Sequence, residues 1–289
     1  MRYYAPQMTD AVPALDGNDL EIRGEHARFV IRPSRGGMLT AFEVDGTRVL
    51  YMDDGSLEDL ERHVRGGVPV LFPSPGKLDA DTWRYDNMRG SLPQHGFARD
   101  LPWRVVRTDR TTIVLELAST PATREQFPWD FTVELSYALH GTTLRIEQRV
   151  ANTSDATMPF GFGFHPYFYV RETDKPKVRV ATAASRAYDN VAKQNISLSG
   201  IDLTKPEVDL HLLDHDATAS ALTTPAGEIR IRGSSEYLFW VVWTLAGREF
   251  VCLEPWTCPR NALNTGEHLI VVPPGESRQL WIELAFSPK

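Results

Sequence analysis

The chain is poor in cysteine: Cys252 and Cys258 are the only two among 289 residues, and no Cys-x-x-Cys pair exists. A dithiol redox motif and a cysteine-rich zinc site are therefore excluded, and both thiols are expected to be free and reduced. No apolar stretch approaches the ~20 residues that a membrane span needs. The segment Met1-Arg2-Tyr3-Tyr4-Ala5-Pro6 has no apolar h-region, so the expected location is cytoplasmic. Positive charge is scarce, with 31 Lys and Arg against 38 Asp and Glu and a formal charge of -7. That argues against nucleic acid as a partner but leaves room for a local cationic pocket. The sequence contains no G-x-G-x-x-G after a strand, no G-x-x-x-x-G-K-S/T, no G-x-S-x-G, no H-x-H and no H-E-x-x-H. Each absence removes a familiar cofactor, metal or nucleophile site. What is left suits chemistry by proton transfer alone, with no cofactor and no metal expected.

Helical periodicity is also scarce. No segment sustains a 3.6 period over three turns, and one short helix is expected over Ser56 to His63, capped by Ser56. The dominant signal is period-two alternation. Phe131, Val133, Leu135, Tyr137 and Leu139 share one face. After His140-Gly141-Thr142, Leu144, Ile146, Gln148 and Val150 do the same, which predicts a hairpin with one wet face. Ile113, Leu115 and Leu117 alternate likewise, as do Leu280, Ile282, Leu284 and Phe286. Phe42-Glu43-Val44 and Val49-Leu50-Tyr51 flank an Asp45-Gly46 hairpin turn. Tyr237 to Leu245 is nearly all apolar and predicts a strand buried on both faces. With 20 Gly and 20 Pro scattered between short strands, the chain is expected to be all-β. The expectation is one large antiparallel β-sandwich over residues 1–289, with the segment before residue 20 peripheral.

Three islands interrupt the strand pattern. The first is Arg65-Gly66-Gly67-Val68-Pro69-Val70-Leu71-Phe72-Pro73-Ser74-Pro75-Gly76-Lys77, answered by Leu92-Pro93-Gln94-His95-Gly96-Phe97-Ala98-Arg99. Gly and Pro at this density shape a backbone that can approach a ligand. The second, Phe160 to Phe168, sets His165 among aromatics, where burial lowers an imidazole pKa and a carboxylate raises it. The third, Phe250 to Thr257, places Glu254 at the end of an apolar strand, where partial desolvation raises its pKa toward that of a working base. Each island also has a plain structural alternative: a surface loop, a histidine bonded to a carbonyl, a strand-end salt bridge.

Together the islands resemble the aldose 1-epimerase (galactose mutarotase) family. The likeness extends to the subgroup with Gly-Gly-x-Pro-x-x-Phe-Pro followed by His-Gly-Phe-Ala-Arg, here Gly66 to Pro73 and His95 to Arg99. His165-Pro166-Tyr167-Phe168, Cys252-Leu253-Glu254-Pro255-Trp256 and the tail Leu269 to Ser277 follow in the family's order. The resemblance implies a galactose mutarotase-like β-supersandwich that interconverts the α and β anomers of an aldohexose. It implies Glu254 as general base, His165 as general acid and His95 as a sugar ligand. Lys77 stands where many relatives carry arginine, and Phe97 and Trp256 offer apolar faces to the sugar. The sugar-binding aspartate is left among Asp189, Asp214 and Asp216.

A carboxylate and an imidazole suffice for such a reaction, because opening a hemiacetal ring needs one proton removed and one delivered. Each group contributes on the order of ~10²–10⁴ in rate. The acid limb of the pH profile is expected to follow the glutamate and the basic limb the imidazole. Three alternatives remain open. Arg65 and Arg99 match positions that hold a phosphate in relatives acting on hexose 6-phosphates, since guanidinium donors pair with its oxygens. The protein could bind carbohydrate without turning it over. His95, His165 and Glu254 could form a zinc hydrolase site. The expected partner is a small sugar, free or 6-phosphorylated, with no nucleic acid and no membrane, and the expected assembly is a monomer or homodimer.

Overall fold

The computed structural model describes residues 19–289. The expectations for Met1–Pro6 and for the N-terminal segment as peripheral fall on residues outside that range. The architecture is all-β, as the alternation predicts. One antiparallel sheet has eight strands in the order Arg179–Ala181, Ala219–Thr223, Gly227–Gly233, Ser277–Pro288, Thr143–Asn152, Phe131–His140, Thr112–Ala118 and Arg104–Thr108. The predicted hairpin forms its centre, with Phe131 opposite Asn152 and His140 opposite Thr143. Its apolar positions are buried and their neighbours are not. Gln148, alternating with the apolar set, is buried too, and its Oε1 accepts a 2.9 Å hydrogen bond from the Tyr237 hydroxyl.

A second eight-stranded sheet runs Gln194–Ser197, Arg186–Asp189, Glu207–Leu212, Phe239–Leu245, Phe250–Trp256, Gly163–Phe164 and Val70–Leu71. Tyr167–Tyr169 also pairs with Phe250–Trp256. Side chains from both sheets, such as Leu135, Ile146 and Leu284 with Trp240, Val242 and Leu253, join one buried cluster. The sandwich is thus held by apolar burial, each large side chain contributing ~1.5–3 kcal/mol. A four-stranded sheet, Leu20–Arg23, Ala27–Arg32, Met38–Val44 and Thr47–Arg48, adds to this cluster. Its turn is the predicted Asp45-Gly46, with φ of 46° and 73°; the second arm pairs from Thr47-Arg48 onward, and Val49 N still donates to Phe42 O at 2.9 Å.

Two local expectations are corrected. The short helix spans Asp54–Glu58 and is capped by Asp53, not Ser56. Ser56 lies inside it, buried, its hydroxyl donating to Asp53 O and accepting from Arg65 N, 2.8 Å in each case. The apolar run from Tyr237 forms its strand over Phe239–Leu245, and it is not buried on both faces alike. Trp240, Val242 and Thr244 are enclosed, while Phe239, Trp243 and Leu245 are half-buried. The half-buried face belongs to a cleft.

Candidate active site

Strand alternation builds the cleft. In the second sheet Val208, Leu210, Leu212, Trp240, Val242, Val251 and Leu253 point into the core. Their neighbours therefore point the other way. Register aligns those neighbours in rows across the strands. Asp209 lies opposite Trp243, Trp243 opposite Cys252, and Cys252 opposite Tyr167. In the next row Tyr188 lies opposite His211, His211 opposite Val241, and Val241 opposite Glu254. Except for the fully enclosed Cys252, these rows floor a cleft of about 710 Å³, within the usual range for small-molecule sites.

All six site residues expected from the sequence line this cleft: His165, Glu254, His95, Lys77, Arg65 and Arg99. The glycine–proline island ties the two histidines together. Pro69 O accepts from His165 N at 3.0 Å and Gly67 O from Tyr167 N at 2.9 Å. Phe72 O accepts from Phe97 N at 3.1 Å, holding the other histidine's loop. His95 and Gly96 both have positive φ, 72° and 70°. A side chain on Gly96 would meet Phe72 O at 2.1 Å, so the turn that aims His95 needs glycine next to it. A left-handed histidine costs ~1–3 kcal/mol and is typical of functional sites.

His165 Nε2 lies 3.4 Å from Glu254 Oε1. Both side chains are buried, Glu254 at 2% exposure. The strand carrying Glu254 continues through Trp256, and the Trp256 indole donates to Glu254 Oε2 at 3.2 Å. Burial, then the charge of Asp209, raises the Glu254 pKa well above the usual carboxylate range. Burial, then His95 and Arg99, lowers His165 well below the usual imidazole range. Both shifts favour the uncharged forms, a carboxylic acid and a neutral imidazole. The imidazole ring stacks on Tyr167 with centroids 4.7 Å apart, and Trp243 meets it edge-on at 5.6 Å.

His95 Nδ1 is 2.5 Å from Pro75 O. A carbonyl only accepts, so Nδ1 carries the proton, and the Nε2 lone pair accepts from the Gln94 amide at 3.3 Å, a contact that a sugar hydroxyl would share or displace. Burial and Arg99 push the His95 pKa down to about 3, so it stays neutral at physiological pH and can accept a hydroxyl proton. Arg99 is held by Gln94 O at 3.2 Å, and its Nε, buried and outside hydrogen-bond reach of any described residue, faces the Asp100 carboxylate at 3.6 Å. Arg65 sits over Trp243, 5.9 Å from the ring centroid. Lys77 stands at the rim, half exposed and 4.0 Å from Asp81.

The three aspartates weighed for sugar binding all lie elsewhere. Asp189 shares the orientation of Leu210, opposite it, and accepts from Val191 N and Ala192 N at 2.9 Å. Asp214 accepts from the Ser185 hydroxyl at 2.6 Å. Asp216 is exposed in a loop. Two other aspartates line the cleft: Asp79, exposed and paired with Arg260 and Asn261, and Asp209, held in the floor. Asn190 Nδ2 donates to it at 2.6 Å, and burial raises its pKa. Its neighbour His211 is lowered to about 4 by burial and by Arg260 and Lys193. The signal for both was the alternation in Glu207-Val208-Asp209-Leu210-His211-Leu212, whose polar face looks like an ordinary solvated one without its neighbours. Of the three residues of the zinc-hydrolase alternative, His95 has its Nδ1 engaged by Pro75 O. Among the described residues no helix is long and apolar enough to cross a membrane.

Comparison with known proteins places the chain in a family. The family model described as "Aldose 1-epimerase" matches residues 19–285. The crystal structure of Slr1438 from Synechocystis sp. PCC 6803 superposes with a TM-score of 0.90 at 38% identity, covering 100% of both chains. A galactose mutarotase related enzyme from Lactobacillus acidophilus shares the fold, with a TM-score of 0.74, 22% identity and coverage of 93% and 97%. The Escherichia coli K12 protein named "Putative glucose-6-phosphate 1-epimerase" is 33% identical over 144 residues, 48% of this chain and 44% of that one.

Proposed function

Because the chain belongs to the aldose 1-epimerase family, whose general role is sugar isomerisation, we propose that it interconverts the α and β anomers of a free aldohexose. The observation that carries this is the 3.4 Å approach of His165 to Glu254 inside one cleft. Glu254 takes the proton from the C1 hydroxyl. His165 delivers a proton to the ring oxygen as the C1–O5 bond opens. The aldehyde then turns about C1–C2, and the ring recloses on its other face with the two roles reversed.

Ring opening in this sense starts from the carboxylate and the imidazolium and ends on the carboxylic acid and the neutral imidazole, the forms that burial favours. His95, through Nε2, and Asp209 accept sugar hydroxyls, and Asp209 takes the role sought among Asp189, Asp214 and Asp216. Trp256 and Trp243 face the sugar's C–H surface. No cofactor or metal enters these steps.

We place the chain in the His-Gly-Phe-Ala-Arg subgroup on His95 to Arg99. A second substrate class, a hexose 6-phosphate, is favoured by the two guanidinium groups that line the cleft, Arg65 and Arg99. Anomer exchange measured over free and 6-phosphorylated aldoses separates the two. Arg65→Ala and Arg99→Ala should depress turnover of the phosphorylated sugars selectively. If wild type moves no aldose faster than buffer yet binds one, the protein is a carbohydrate-binding protein instead.

A further inference from the structure

Cys252 has no part in the chemistry above, yet it is fully buried beside it. It lies two residues from Glu254 on the same face of Phe250–Trp256, and opposite Tyr167 in register. One ligand atom from each of His165, Cys252 and Glu254 lies within 4.8 Å of the other two. His165 is buried as well, and the ring nitrogen that faces Glu254 is Nε2. We propose that His165, Cys252 and Glu254 form a binding site for a thiophilic divalent cation, zinc or cadmium, which enters through the cleft.

The donors suit such an ion. Imidazole nitrogen, thiolate and carboxylate hold zinc at about 2.0–2.3 Å in tetrahedral geometry. Bonds of that length set ligand atoms roughly 3.3–3.7 Å apart. The His165–Glu254 separation of 3.4 Å already meets that spacing. The Cys252 sulfur lies within 4.8 Å of both other ligand atoms, behind the two that line the cleft, His165 and Glu254. The sulfur selects zinc or cadmium over magnesium or calcium, which prefer oxygen alone.

The thiol gives its proton to solvent when the sulfur binds the ion, since the thiolate is the ligand. The set differs from the zinc-hydrolase trio in replacing His95 by a thiol, and the binding it describes does not depend on which sugar the protein turns over.

The test is a titration of the metal-free full-length protein with cadmium, read by the ultraviolet thiolate-to-metal charge-transfer band, followed by competition with zinc. One equivalent of cadmium should raise the band in wild type and in Cys258→Ser but not in Cys252→Ser. Zinc affinity should fall about 100-fold or more in Cys252→Ser, at least the loss seen when a supporting ligand contact is removed. Circular dichroism checks that each variant folds. If Cys252→Ser does not fold, Glu254→Gln serves, with the band weakened in proportion to lost affinity. No band in wild type, a band that survives Cys252→Ser, or one lost equally in Cys258→Ser overturns the site.

Discussion

The Trp256 indole donates to Glu254 Oε2 at 3.2 Å, leaving Oε1 to face His165 Nε2 at 3.4 Å. The two residues are i and i+2 on one strand face, so alternation itself supplies the carboxyl with a fixed donor on one oxygen. That contact orients the other oxygen toward the cleft. Trp256→Phe removes the donor and keeps most of the apolar area. The neutral carboxyl favoured by burial then loses one opposing influence, because the indole hydrogen bond lowers its pKa. Anomer exchange in Trp256→Phe should slow by about 3- to 30-fold, the equivalent of one hydrogen bond. An unchanged rate would detach the tryptophan from catalysis.

The pH profile should be a plateau through neutrality, with limbs opposite to those expected from the sequence. His165 is lowered and Glu254 raised, so the uncharged pair spans the gap between them. On the acid side activity falls when the imidazole takes a second proton, below its ordinary value of 6.5. On the alkaline side it falls when the carboxyl loses its proton. Glu254→Gln should abolish the alkaline limb in whatever residual activity remains, measured as kcat/KM against pH.

Asp209→Asn tests the newly placed aspartate. A lost charged hydrogen bond to a sugar hydroxyl costs about 1.5–3 kcal/mol, so KM should rise roughly 10- to 150-fold. Asp209 also raises the Glu254 pKa. Its neutralisation should therefore move the alkaline limb to lower pH, which a purely structural role would not do.

Acid stability follows from the buried histidines. His95 is depressed to about 3 and His211 to about 4, each from 6.5. Between those values and 6.5 the unfolded chain binds protons that the native protein refuses, so stability rises with pH in that window and is lost as pH falls. Each histidine contributes a slope of about 1.4 kcal/mol per pH unit. Urea midpoints should drop from pH 7 to pH 5, and His95→Gln or His211→Gln should flatten the drop. Equal drops in all three proteins would contradict the assigned causes.

Much of the fold could be read from alternation because antiparallel strands write their burial into every second residue. Phe131 to Val150 is the clearest case. The helix at Asp54–Glu58 was misplaced because the helix opens at Asp53, one strong capping residue before another, and local sequence does not say which one wins. The run Tyr237 to Leu245 looked doubly buried because a cleft floored by Trp243 and Val241 is as apolar as a core. His165, Glu254 and His95 could be found because Gly and Pro crowd around them. Asp209 and His211 could not, since only the register with Trp243 and Val241 shows that their face meets Glu254.

The central claim is that His165 and Glu254 act as one unit on one sugar ring. Exchange spectroscopy on the anomeric protons of an aldose at equilibrium measures it most directly, with wild type, His165→Asn, Glu254→Gln and the double variant compared at pH 7. Each single variant should lose about 10²–10⁴ in exchange rate, and the double variant should be hardly slower than the worse single one, as for groups that work together. Losses that multiply in the double variant, or wild-type exchange in Glu254→Gln, would contradict it.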